Sequence, residues 1–93
     1  IEEFKDLNRR VLDYVKKVNA AVRLEDPKAA MPLLPVSAEI THIMKDYRQR
    51  HLDRLSEGKV TALSSLVYTD MLNSYRRMKD HTLNIAEVAA GEK

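Results

Sequence analysis

The sequence predicts an all-α fold, an up-down-up bundle of three helices forming one domain. Three observations predict it. Apolar residues recur at helical spacing along three separate stretches. The breaks between those stretches carry residues that cap and stop helices. The chain has 93 residues, 32% charged and 44% hydrophobic, with only two glycines, the composition of a small, well-solvated helical domain.

The first helix is expected from residue 2 to about residue 24. Phe4, Leu7, Val11, Tyr14, Val15, Val18, Ala21 and Val22 form its core stripe. It stops at Asp26-Pro27, because proline disfavours helix at the residue before it and suits the first turn of a new one, with Asp26 as N-cap. A short helical turn over Lys28 to Met31 follows, and then Pro32 and Pro35 enclose Leu33 and Leu34 in a stiff connector. The second helix is expected over about 36–57, with Ile40, Ile43, Met44, Tyr47, His51, Leu52 and Leu55 on one side and Gly58 as its C-terminal cap. The third opens at Thr61, a candidate N-cap, and runs to about residue 90 through Leu63, Leu66, Val67, Met71, Tyr75, Met78, Thr82, Ile85 and Ala89. Met31, Met44, Met71 and Met78 all fall on these apolar stripes and read as gap-filling core residues.

The same counts exclude several classes of function. The absence of cysteine removes disulfide frameworks and thiolate zinc sites. No apolar run approaches the roughly 18 to 20 residues needed to span a bilayer. A formal net charge of +2, from 16 basic and 14 acidic residues, gives no pull towards nucleic acid or anionic lipid. Arg48, Arg50, Arg54 and Lys59 are interleaved with Asp46, Asp53 and Glu57, as on a solvated helix face. Without a glycine-rich phosphate loop or a nucleophile in a strained turn, the expectation is a non-enzymatic protein. One Phe and four Tyr supply little aromatic mass for a self-sufficient core, so a partner surface is expected. With Ile1 rather than Met at its start, the chain reads as part of a longer protein.

The polar residues worth following lie on the third helix. Asp70, Ser74, Arg77, His81 and Asn84 advance by four, three, four and three residues, so they stack beside the apolar face, with Asp80 and Glu87 slightly further round. Half sheltered at a bundle seam, such a ladder has two uses. Asp70, Ser74, Arg77, Asp80, His81 and Asn84 form a structural polar network, or Asp70, Asp80, His81 and Asn84 hold a metal ion together with Glu39, His42 or His51 of the second helix. His51, beside Leu52 and Leu55, reads as a packed histidine at the core edge.

The segment Tyr75-Arg-Arg-Met-Lys-Asp-His-Thr-Leu-Asn-Ile-Ala-Glu87 resembles the helix signature of PhoU-like domains, Glu-Arg-Ile-x-Asp-His-x-x-Asn-Ile-Ala-Glu. The stretch His51-Leu-Asp-Arg-Leu-Ser-Glu-Gly-Lys59, followed by Asp70, is similar to the version of this domain at the cytoplasmic C-terminus of bacterial sodium/phosphate symporters. Together the resemblances cover residues from about 39 to 91. They imply a regulatory domain of phosphate transport: the soluble tail of a membrane transporter on the cytoplasmic side of the inner membrane, acting through protein contacts, with a homodimer as one arrangement of its three-helix units.

The resemblance also implies a metal site built on a Glu/Asp-x-x-x-Asp motif, and here the chain departs from it. Arg76 and Thr41 stand at two expected acidic positions, leaving Asp80 and Glu39. A guanidinium in place of a carboxylate repels a cation, so no iron or zinc cofactor is expected.

Overall fold

The computed structural model describes residues 2–92. It contains α1 (Glu2–Leu24), α2 (Pro27–Ala30), a 3-10 turn (Met31–Leu33), α3 (Val36–Ser56) and α4 (Ala62–Ala89). The three long helices are those expected from the sequence. They form an elongated body of 50 × 17 × 16 Å.

The caps act where the sequence places them. Asp26 accepts a hydrogen bond from the Lys28 backbone N–H at 3.0 Å, with Pro27 at the first helical position of α2. Thr61 accepts one from Ser64 N–H, also at 3.0 Å, and opens α4. Gly58 stops α3 with φ of +72°, a left-handed conformation that glycine adopts without steric cost. The stop of α1 is sharper than proline alone requires, because Glu25 also takes a left-handed φ of +53° while its N–H bonds to the Val22 carbonyl.

Side-chain pairs between helices give their directions. Glu3 meets Tyr68 and Asn8 meets Tyr75, so α1 and α4 ascend together. Ser37 meets Lys79 and His51 meets Ser65, so α3 runs down between them. The bundle is therefore up-down-up. Its core comprises Phe4, Leu7, Val11, Tyr14 and Val18 of α1, Ile40 and Met44 of α3, and Tyr68, Leu72 and Ala86 of α4.

On α1 the expected stripe is the buried one, except that Val15 is half-buried and Val22 at its C-terminal end is exposed. On α3, Ile40, Met44 and His51 are buried, whereas Leu52, about 100° round the helix from His51, and Leu55, in the last turn, are exposed. The principal correction concerns α4. Its buried line is Tyr68, Leu72, Lys79, Thr82 and Ala86, spaced by four, seven, three and four residues. At 100° per residue this line lies about 90° round the helix from Val67, Met71, Met78 and Ile85. Leu63 is consequently 72% exposed and Leu66 67%, against 7% for Leu72. The most apolar face of α4 points away from the core. Met31, Met71 and Met78 are exposed as well, and only Met44 fills the core as expected.

Candidate functional site

The polar ladder on α4 is solvent-facing rather than sheltered. Asp70, Ser74, Arg77, Asp80, His81 and Asn84 are all exposed, as is Glu39 on α3. Ser74 donates to the Asp70 backbone carbonyl at 3.2 Å, an ordinary bond back along the helix. Asp80 accepts from Lys79 instead of Arg77. Asp70 and Arg77, seven residues and about 10 Å apart along the axis, form no ion pair among the described residues.

The weighed metal ligands are dispersed. Ten residues separate Asp70 from Asp80, about 15 Å of helix. His42 is exposed on α3, and buried His51 points elsewhere, towards Ser65. Among the described residues no group of three or more His, Asp and Glu side chains could hold a metal ion. Arg76 is exposed, and Thr41 donates its hydroxyl to the Ser37 carbonyl at 3.0 Å.

The most tightly coupled polar groups sit at the other end of α4, where the start of α1, the end of α3 and the start of α4 meet. The Glu3 carboxylate, 17% exposed, accepts from Arg54 Nη2 at 2.8 Å. The Tyr68 hydroxyl lies 3.0 Å from Glu3 Oε1 and 3.1 Å from the Tyr47 carbonyl oxygen, so its single proton serves one acceptor at a time. Burial pushes the Tyr68 hydroxyl up to about 12, and the bond to Glu3 adds to that rise. The His51 ring stacks on Tyr68 at 4.0 Å between centroids, and its Nε2 lies 3.0 Å from Ser65 Oγ. Phe4 also packs on Tyr68, tilted, with 4.6 Å between ring centroids.

One turn further up, Asp6 accepts hydrogen bonds from the Tyr47 hydroxyl, from Arg10 Nε at 2.8 Å and from Arg9 Nη2 at 2.7 Å. These donors, Tyr47 foremost and then Arg10, hold its carboxyl down to about 2. Lys79 is the third such group. Only 5% exposed, it donates to Ser37 Oγ at 3.3 Å and to Asp80.

Glu3, Asp6, Tyr68 and Lys79 escaped the sequence reading because each looks like an ordinary amphipathic-helix residue. The available signal was the spacing of Tyr68, Leu72, Tyr75, Lys79, Thr82 and Ala86 along a second helical line, which a lysine and a threonine disguise. These clusters pair their charges within the bundle. They fasten helices together.

Open concave surface lies on the outward side of α4. A cleft of about 720 Å³ is lined by Phe4, Val60, Leu63, Val67 and Met71 together with Glu2, Glu3, Arg50, His51 and Arg54. At the opposite end a groove of about 440 Å³ runs between α1 and α4, lined by Ala21, Val22, His81, Ile85 and Val88. The surface that both present is mainly apolar, although charged residues also line the larger cleft, and such surface suits burial against another apolar surface.

No protein family, curated protein or solved structure matches this chain. Among the described residues no helix is long and apolar enough to cross a membrane.

Proposed function

We propose that this chain is a non-enzymatic regulatory domain of phosphate transport, a PhoU-like helical unit acting on a sodium-dependent phosphate transporter through helix-face contacts. The observation that carries the reading is α4. The Asp80–Glu87 string that resembles the PhoU-like signature lies on the helix whose apolar face is left outside the core. A helix spends exposed Leu, Val, Met and Ile on solvent only at a cost in solubility, and a contiguous face of this kind marks a protein-interaction surface. The paired state of Glu3, Asp6 and Lys79 supports a scaffold over a catalyst, since each also bonds to a second helix, at Arg54, Tyr47 and Ser37 respectively.

Uptake of radiolabelled phosphate by cells in which the coding sequence for residues 1–93 has been removed in frame tests this reading. Loss of the normal adjustment of uptake to external phosphate is expected. Uptake that follows external phosphate as it does in unaltered cells would contradict it.

A further inference from the structure

The outward face of α4 has a second property besides being apolar. Val67, Met71, Met78, Ile85 and Val88, with Ser74 and His81 completing the series, alternate in steps of four and three residues. This is a seven-residue repeat, the pattern that keeps one stripe against a partner helix over many turns. All seven positions are exposed. The stripe extends over about 32 Å, and exposed Leu63 adds apolar surface beside its start, about 6 Å beyond Val67.

Asp70 and Arg77 flank the stripe on the same side, one repeat apart, and neither is ion-paired within the chain among the described residues. Their spacing has a consequence for self-pairing. In an antiparallel pair of identical helices, each flank faces its own copy. If Met71 packs against Ser74 of the second copy, Val67 meets Met78 and Asp70 meets Arg77, twice by symmetry. Sliding one helix by a repeat in either direction sets Asp70 against Asp70 or Arg77 against Arg77, which like-charge repulsion disfavours. A parallel pair leaves both charges facing Tyr75 and Thr82 instead. Charge and apolar pattern thus select one arrangement.

We propose that α4 is a self-recognition helix, pairing antiparallel with α4 of a second copy of this chain about a two-fold axis between Met71 and Ser74. The pairing is isologous, each patch being its own complement. Val60 of one copy then lies level with Ile85 of the other, so the cleft at one end and the groove at the other are filled by the partner's apolar residues. The α4 face is about 38 Å long, and α1, which starts level with Tyr68, widens it over the remaining length towards Val88. The inference stands on the face and its charges, independently of any role in phosphate transport.

The chain has no cysteine, so single cysteines report geometry without background. Ser74→Cys lies beside the proposed axis, whereas two Val88→Cys residues would be about 46 Å apart along it. Mild oxidation should link Ser74→Cys into covalent dimers and leave Val88→Cys unlinked. Linking of both shows a parallel pair, and linking of neither shows no such pairing; either result overturns the proposal. Independently, Asp70→Arg and Arg77→Asp should each weaken the dimer about tenfold, two symmetric ion pairs becoming two repulsions, and the double swap should restore it. Both sites are exposed, so circular dichroism should show unchanged helicity in all three. A double swap as weak as either single change would also overturn the proposal.

Discussion

At Asp6 three donors converge on one carboxylate, and that geometry makes stability depend on pH. Its carboxyl is held down to about 2, first by the Tyr47 hydroxyl and then by Arg10. In the unfolded chain the group titrates near the usual ~3.9. The contribution is therefore complete above about pH 4, declines as pH falls towards 2, and is absent below it. Asp6→Asn should cost about 1 kcal/mol at neutral pH, allowing for solvent screening, and the difference from the parent should shrink below pH 4 in urea titrations. Tyr14 presents the reverse case. It is 1% exposed, its hydroxyl has no hydrogen-bond partner among the described residues, and burial raises its pKa, with Glu87 adding to the rise. An unmet buried hydroxyl costs about 1–3 kcal/mol. Tyr14→Phe keeps the ring and removes that cost, so the melting temperature should hold or rise, whereas Tyr14→Ala should lose about 3–5 kcal/mol.

At the scale of the helices, the caps and directions were readable because they depend on local chemistry. Asp26, Thr61 and Gly58 act within three or four residues of themselves, and the heptad-like line of α1 has no competing face. The rotation of α4 was not readable. Two lines compete on it, and the more apolar one, through Val67, Met71, Met78 and Ile85, is the exposed one. The buried line was masked by Lys79, whose charge is met by Asp80 beside it and Ser37 across the bundle, a tertiary fact that spacing does not encode. The polar ladder moved with the rotation, from the expected seam to solvent. A paired substitution checks it: Leu72→Ala should cost about 2–4 kcal/mol and Leu66→Ala less than about 0.5 kcal/mol in denaturation of the monomer. Glu25 tests the end of α1, because its left-handed φ of +53° burdens any residue with a Cβ. Glu25→Gly should stabilise the chain by about 1 kcal/mol in the same titration.

For the whole molecule, the limited aromatic content pointed towards a partner, and the bundle locates the surface such a partner would cover. Phe4 and Tyr68 are spent at one end of the core, where they pack with His51, while Val22, Leu63, Leu66 and Val88 remain in solvent. These facts meet on α4, which holds the bundle by one face and, in the proposed dimer, pairs with a second copy by another. Sedimentation equilibrium at concentrations up to tens of micromolar tests this most directly. The account predicts a reversible approach to twice the 10.7 kDa chain mass as concentration rises. A mass of 10.7 kDa throughout that range would contradict it.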